Sequence, residues 1–157
     1  MSPNQKAFLD MIAISEGTYG KGDNGYNVLV GGSLFDDYSE HPNILVDLHR
    51  EINGQELKST AAGRYQLLYR YWVYYKELLK LNDFGPDSQD KIALQQIKER
   101  NAIDDIESGN IQAAIIKCGN IWASLPGNAY GQHQNTMTAL IESYQQMGGQ
   151  IATNQIG

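Results

Sequence analysis

A glutamate at the end of the first predicted helix is the residue best suited to acid chemistry. Glu16 shares a helical stripe with Leu9 and Ile12 and precedes Gly17, which favours helix termination. The negative end of a helix dipole and a position beside the core both disfavour an ionised carboxylate, so we expect a raised pKa for Glu16. A raised pKa suits a general acid at neutral pH. The alternative is a surface glutamate that extends into solvent.

Two other segments have the composition of a ligand-binding surface. The run Ser59–Gln66 combines hydroxyls, small residues and an amide at a predicted helix start, where a polar ligand can approach the backbone closely. The alternative is a simple helix cap formed by Ser59 or Thr60. Trp122 and the segment Tyr130-Gly131-Gln132 are compatible with a carbohydrate-stacking lip, although on spacing alone core and loop filler is the favoured interpretation.

Metal and thiol chemistry are not predicted. The histidines His41, His49 and His133 are far apart and lack the spacing of metal ligands. Cys118 lies on an apolar stripe, which favours a small core residue over a nucleophile. Because it is the only cysteine, an internal disulfide and a cysteine-based zinc site are excluded.

Length and charge narrow the class of protein. The chain has 157 residues, so we predict a single domain over residues 1–157, with a poorly ordered tail from about residue 150. Its net charge of −6 argues against nucleic-acid binding and against a polybasic membrane anchor. No signal peptide and no apolar stretch long enough to span a membrane is recognisable.

The elements that must position these residues are mostly helical. The first helix is predicted over Pro3–Glu16 with Ser2 as N-cap, followed by a β-hairpin over Tyr26–Phe35 around Gly31-Gly32. A mobile, polar stretch is predicted from about Leu48 to Lys58, and a helical pattern from about Thr60 onward. Three later helices are predicted, one starting at Pro86, one from Ile111 to Cys118 and one around Met137–Tyr144. The predicted class is α+β, mostly helical with one small N-terminal sheet.

From Lys6 to Gly149 the chain resembles the lambda-type bacteriophage endolysins in consistent order. The matching strings are Ala7-Phe8-Leu9-Asp10-Met11, Ser15-Glu16-Gly17-Thr18, Val30-Gly31-Gly32, Leu34-Phe35, Asp37-Tyr38-Ser39, His41-Pro42, Lys58-Ser59-Thr60, Ala62-Gly63-Arg64-Tyr65-Gln66-Leu67-Leu68, Ser88-Gln89-Asp90, Ala93–Arg100, Asn120–Gly127 and Tyr130-Gly131-Gln132.

The resemblance implies a lysozyme-like fold in which the small sheet borders a substrate cleft. It implies lytic transglycosylation of peptidoglycan, which cuts the β-1,4 bond from N-acetylmuramic acid to N-acetylglucosamine and leaves 1,6-anhydro ends, without any cofactor or metal. The family's catalytic glutamate falls on Glu16, and the loops Leu48–Glu56 and Leu125–Gln134 resemble its two mobile lips. The implied substrate-binding residues are Val30, Gly31, Tyr38, Ser59, Thr60, Ala62, Gln66, Tyr130 and Gln132.

The resemblance also implies a setting for the enzyme. We expect a monomer that acts on glycan strands, does not bind nucleic acid, accumulates in the host cytoplasm and reaches the cell wall through a separate membrane-permeabilising protein, a holin. Two alternatives stay open. One is a hydrolytic muramidase in which Asp36 or Asp37 activates water, since these residues and Asp23 are the only loop carboxylates placed to partner Glu16. The other is a non-catalytic wall-binding protein.

Overall fold

A computed structural model of the chain describes residues 1–127 and 134–152. The elements within these residues are α1 (Pro3–Glu16), β1 (Val46–Ile52), β2 (Gln55–Ser59), α2 (Tyr69–Leu78), α3 (Pro86–Glu99), α4 (Ile103–Glu107), α5 (Ile111–Lys117) and α6 (Met137–Gln146). The predicted α+β class with a predominance of helix is confirmed. The chain forms two compact units, one of Met1–Gly17 with Ala93–Gly157 and one of Thr18–Ile92.

Helix α1 has the predicted bounds because both of its ends are encoded locally. Ser2 is the N-cap, and its Oγ accepts a hydrogen bond from the backbone N–H of Gln5 at 3.1 Å. Pro3 opens the helix, where its missing N–H costs nothing. Gly17 ends the helix in the left-handed conformation, with φ of 78°, and its N–H bonds to the last carbonyls. Glu16 is therefore held at the final residue of a well-capped helix.

The first unit is built around α1, which packs against α4 and α6. Its fully buried side chains include Phe8, Ile12, Ile106, Ile115 and Tyr144. Cys118 and Trp122 are also buried, so both take the core role that the sequence favoured for them. The chain after α6 is held at Gln150, whose carbonyl accepts from the Tyr144 hydroxyl at 2.9 Å, and at Ala152, whose N–H donates to the Gly109 carbonyl at 3.2 Å. The rest of the predicted tail lies outside the described residues.

The predicted hairpin over Tyr26–Phe35 is present only as a short turn around Gly31-Gly32 and not as a pair of strands. Val28 and Leu34 form a single antiparallel bridge, flanked by hydrogen bonds from Leu29 N–H to Ser33 O and from Phe35 N–H to Asn27 O. Other backbone groups of the segment bond to a later one, since Val30 N–H donates to Ala61 O and Gly63 N–H donates to Val28 O. The antiparallel pair is β1 with β2, in the stretch predicted to be a mobile loop. The turn joining β1 to β2 is Asn53-Gly54, whose φ values of 53° and 78° fit a tight hairpin turn.

The predicted helical pattern from Thr60 is also wrong over its first residues. Ala62 and Leu67 exchange both backbone hydrogen bonds, at 3.0 and 2.9 Å, which closes a loop rather than a helical turn. Gly63 and Gln66 within that loop have φ of 86° and 54°, which a right-handed helix cannot accommodate. Helix α2 therefore begins only at Tyr69. The predicted helices at Pro86, at Ile111 and at Met137 are confirmed, whereas α4 was not predicted.

The second unit has an aromatic core. The Phe84 ring, which is fully buried, lies within about 5 to 6 Å of the rings of Phe35, His41 and Trp72. The other buried members of the cluster are Leu29, Ala62, Leu67, Tyr75, Leu81 and Ile92. This core supports the loop that closes at Ala62 and Leu67. In the described part of the chain, every helix is too short or too polar to span a bilayer.

Candidate active site

Glu16 has the acid–base properties that the sequence predicts for a general acid. Its side chain is half-buried at the end of α1, and desolvation by the surrounding protein raises the pKa of its carboxyl group from 4.5 to about 7. A hydrogen bond from the Ser124 hydroxyl to Glu16 Oε2, at 2.8 Å, partly opposes that rise because it stabilises the ionised form. Glu16 is therefore close to half-protonated at neutral pH.

The hydroxyl that bonds Glu16 belongs to a longer hydrogen-bonded series. Ser124 Oγ lies 2.7 Å from Ser15 Oγ, and Asn135 Nδ2 lies 2.9 Å from the same Ser15 oxygen. The Asn135 amide also reaches the Ser15 backbone carbonyl, at 3.3 Å, and its own backbone N–H donates to Ser124 O at 2.8 Å. Asn135 thus binds both α1 and the loop that carries Ser124.

Sequence reasoning did not identify Ser124 and Asn135 as site residues. They lie 108 and 119 positions after Glu16, and neither forms a motif with it. Ser15 adjoins Glu16 within the matching string Ser15-Glu16-Gly17-Thr18, but the sequence predicts no separate role for it. The available signal was the string Asn120–Gly127, which belongs to the resemblance and contains Ser124.

Two of the predicted substrate-binding residues, Val30 and Gln66, belong to one hydrogen-bonded group within the second unit. Val30 N–H donates to Ala61 O at 3.0 Å. The Gln66 amide donates from Nε2 to the carbonyls of Val28 and Gly63, at 3.2 and 2.9 Å. The segments around Val30 and Gln66, which are distant in sequence, are therefore held side by side.

Hydrogen bonds of Gln89 and Arg64 attach the loop that carries Gln66 to neighbouring segments. Gln89 accepts from Arg64 N–H at 2.9 Å and donates to the carbonyls of Tyr26 and Phe84. The buried Arg64 side chain donates from Nε to Asn24 O at 2.9 Å. Position 63 requires glycine for two reasons. A Cβ at this position would collide with the Gln89 amide, and the backbone φ of Gly63 is 86°.

The hydroxyl residues of the predicted site have local partners. Ser59 Oγ accepts from Ala61 N–H at 3.1 Å, and Thr60 Oγ1 accepts from Tyr69 N–H, the first residue of α2, at 3.0 Å. The Tyr38 hydroxyl donates to Asp23 Oδ2 at 2.8 Å. Contact of these residues with substrate stays a prediction.

The remaining predicted binding residues differ in exposure. Ala62 is fully buried, while Gly31 is exposed and has φ of 89°. Tyr130 and Gln132 lie outside the described residues. Glu16 belongs to the first unit, whereas Val30, Gly31, Tyr38 and the Ser59–Gln66 run belong to the second.

The other candidate carboxylates are exposed. Asp37 Oδ1 accepts from Ser39 N–H at 2.9 Å, and that bond lowers the pKa of Asp37. Asp23 accepts from the Tyr38 hydroxyl, and Asp36 is exposed. Over residues 1–127 and 134–152, no three His, Cys, Asp or Glu side chains are grouped so as to hold a metal ion.

Comparison with known proteins places this geometry in a family. A family model described as Endolysin matches residues 6–151. The endolysin of Escherichia phage lambda is 52% identical over 151 residues, covering 94% of this chain and 92% of the relative, and that of Escherichia phage P2 is 46% identical over 154 residues, covering 93% of each. The solved structure of bacteriophage lambda lysozyme complexed with a chitohexasaccharide aligns with a TM-score of 0.91 at 51% identity, covering 96% of this chain and 97% of that one.

The fold is thus that of a lysozyme-like α+β protein, as the sequence resemblance implied. The match to the family model spans nearly the whole chain, and two curated relatives are about half identical to it. The chain belongs to the endolysin family, the phage enzymes that degrade peptidoglycan.

Proposed function

We propose that this endolysin is a lytic transglycosylase that cuts the β-1,4 bond from N-acetylmuramic acid to N-acetylglucosamine. The observation that carries the proposal is the Glu16 carboxyl, whose pKa of about 7 leaves it able both to give and to take a proton at neutral pH. A glycan strand as substrate is supported by the lambda relative, whose structure holds a chitohexasaccharide.

The proposed reaction needs one carboxyl group in two roles. Protonated Glu16 donates its proton to the glycosidic oxygen as the bond from that oxygen to C1 of the muramoyl sugar breaks. The C6 hydroxyl of the same sugar then attacks C1, which forms the 1,6-anhydro ring, and its proton passes to the Glu16 carboxylate. Water is not consumed, and Glu16 ends the cycle protonated as it began.

The hydrogen-bond partners of two loop aspartates support this reaction over hydrolysis. A hydrolytic enzyme of the usual type needs a second positioned carboxylate as nucleophile or base. The hydrogen bond from Ser39 lowers the pKa of Asp37, which makes it a weaker base. Asp23 already accepts from Tyr38, so these groups have structural partners of their own.

Product analysis on purified peptidoglycan tests the reaction type. The proposed transglycosylase releases muropeptides with anhydro ends, which borohydride does not reduce and which are lighter by one water than hydrolytic products. Glu16→Gln keeps the size of the side chain but removes the transferable proton, so we expect activity to fall about 10²–10⁴-fold. Binding of the variant to the insoluble wall should persist, which separates an enzyme from a wall-binding protein.

A matched control is Glu142→Gln on α6, an exposed glutamate in the same unit. It should retain wild-type activity, and its products should be unchanged. Reducible products from the wild type would identify a hydrolase. A Glu16→Gln variant that retained more than about a tenth of the activity would remove Glu16 from the role of acid.

We also propose that the enzyme accumulates in the host cytoplasm and needs a holin to reach the wall, as the resemblance to lambda-type endolysins implies. Expression of the chain alone should leave cells intact, and brief chloroform treatment should then lyse them at once. Cells expressing Glu16→Gln should survive the same treatment without rapid lysis. Prompt lysis on expression alone would show that the protein crosses the membrane unaided.

A further inference from the structure

The hydroxyls beside Glu16 have only one consistent donor order when the carboxylate is ionised. An ionised carboxylate can only accept, so the single Ser124 hydroxyl hydrogen points to Glu16 Oε2. The short contact of Ser124 with Ser15 must then use the Ser15 hydrogen. Ser15 Oγ, having given its own hydrogen, accepts from Asn135.

The orientation of the Asn135 amide is determined independently of this order. Its terminal group faces the Ser15 backbone carbonyl at 3.3 Å, and a carbonyl can only accept. The atom facing Ser15 is therefore the NH₂ group and not the amide oxygen. A donor-only group thus stands at the far end of the series, and every hydrogen points toward Glu16.

We propose that Asn135, Ser15 and Ser124 form a directed relay of positioning residues that keeps the Ser124 hydrogen on Glu16 Oε2 and places the transferable proton on Oε1. If the proton were on Oε2 and directed at Ser124, the Ser124 and Ser15 hydroxyls would have to reverse. Ser15 would then direct its hydrogen at the Asn135 NH₂ group, which is also a donor. The relay therefore disfavours that state of the acid.

The relay needs no rearrangement when the proton moves. Oε2 accepts from Ser124 both when it is part of the carboxylate and when it is the carbonyl oxygen of the neutral acid. A donor network that stays oriented while charge develops costs no reorganisation at the moment of reaction. This deepens the proposed function and depends on it, because the proton on Oε1 is the one given to the glycosidic oxygen.

Charged groups on α1 and on the helices packed against it do not account for the pKa of Glu16. On α1 itself, Lys6 pairs with Asp10 at 2.8 Å, two turns before Glu16. The titratable groups on the helices packed against α1 are Asp104, Asp105 and Glu107 on α4 and Glu142 and Tyr144 on α6. The pKa of Glu16 is set by burial, which raises it, and by the Ser124 hydrogen bond, which lowers it.

Titration of the Glu16 carboxyl by carbon NMR, with the alkaline limb of kcat/KM measured beside it, tests the relay. Ser124→Ala removes the bond to the charged form and should raise the pKa of Glu16 by about 1–2 units. Asn135→Leu and Ser15→Ala act only through Ser124 and should raise it by roughly 0.1–0.6 units. The alkaline limb should move upward with each.

A double variant separates a relay from independent effects. In a Ser124→Ala background, Asn135→Leu should cause no additional pKa shift, because the connection to Glu16 is already broken. Thr136→Ala is the structural control: Thr136 caps α6 next to Asn135, so its loss should lower the melting temperature and leave the pKa of Glu16 unchanged. If Asn135→Leu does not fold, Ser15→Ala in the two backgrounds decides the question.

An unchanged pKa of Glu16 in the folded single variants would overturn the proposal. So would an Asn135→Leu shift of the Glu16 pKa that is equal in the wild-type and Ser124→Ala backgrounds. The titration does not depend on activity. A Glu16→Gln variant that stayed active would therefore refute the role of Glu16 as acid while leaving the NMR result on the relay intact.

Discussion

Glu16 combines a functional property with a cost in stability. Its pKa is about 7 in the folded protein against 4.5 for the ordinary group, so the folded chain binds more protons than the unfolded chain between these values. The contribution of Glu16 to the free energy of unfolding therefore falls as pH rises from about 4.5 to 7 and stays reduced above that range. This is the behaviour of an acid held neutral by burial.

A stability measurement at two pH values checks that reasoning. Near pH 4, Glu16→Gln should have about the wild-type free energy of unfolding, because both side chains are neutral. At pH 8 only the wild type carries a desolvated charge, so the variant should be more stable by up to roughly 3 kcal/mol. Glu142→Gln should show no such growth of the difference with pH in urea unfolding. A constant difference between wild type and Glu16→Gln would mean that Glu16 titrates normally in the folded state.

Asp37 differs from Glu16 because it is exposed and its pKa is lowered and not raised. Its carboxylate accepts from Ser39 N–H in an exposed turn, and an asparagine carbonyl can accept the same bond. Asp37→Asn should therefore keep the anhydro products and most of the activity on purified peptidoglycan. A loss as large as that of Glu16→Gln would identify Asp37 as a base or nucleophile and favour the hydrolytic mechanism.

At the scale of elements, helix α2 is capped from outside its own sequence. Its N-cap position is Leu68, which has no capping side chain, and the N–H of Tyr69 is instead bonded by Thr60 Oγ1. The loop closed at Ala62 and Leu67 brings Thr60 to that place. The sequence predicted Ser59 or Thr60 as a cap for a helix starting there, so Thr60 does cap a helix, but one that begins nine residues later.

Thr60→Val keeps the shape of the side chain and removes the acceptor. We expect the free energy of unfolding to fall by about 1 kcal/mol, within the usual range of roughly 0.5–2 kcal/mol for a lost cap. Thr60→Ser retains the hydroxyl and should lose much less. Urea unfolding of the three proteins gives the comparison, and equal losses in both variants would show that the hydroxyl has no capping role.

At the scale of the whole molecule, the net charge of −6 affects how the enzyme binds an anionic cell wall. Such a charge gives no long-range attraction, so binding must depend on short-range contacts with the glycan. Salt screens repulsion between exposed charges, since the Debye length falls from about 30 Å at 0.01 M to about 8 Å at 0.15 M.

The initial rate on purified peptidoglycan should therefore stay level or rise between these two salt concentrations. A variant with Glu77→Lys and Glu142→Lys, both exposed, has a net charge of −2 and should show a weaker salt dependence. A steep fall in the wild-type rate with salt would indicate a positively charged binding surface that the net charge conceals.

What the sequence predicted well was encoded within a few residues. The bounds of α1 follow from Ser2, Pro3 and Gly17, and each of these acts on its own turn of helix. The raised pKa of Glu16 could be anticipated because the apolar stripe and the helix end both lie next to it. The hairpin at Asn53-Gly54 also has a local turn signal, which the prediction of a mobile, polar stretch did not use.

Only the tertiary structure decided the pairings between distant segments. Val28 and Val30 lie in the short hairpin that their alternation predicts, but they also bond to residues 61–63, and no local pattern reveals that pairing. In the same way, the residues that orient Glu16 come from positions 124 and 135, and their polar atoms meet only after α1 and α6 have packed. The sequence by itself predicted that the Glu16 carboxylic acid lies beside apolar residues at a helix end and has a raised pKa, because these features depend on a few neighbouring residues. The partners and hydrogen-bond direction of that acid depended on tertiary packing, because hydrogen bonds require atoms within about 3 Å whatever their separation along the chain.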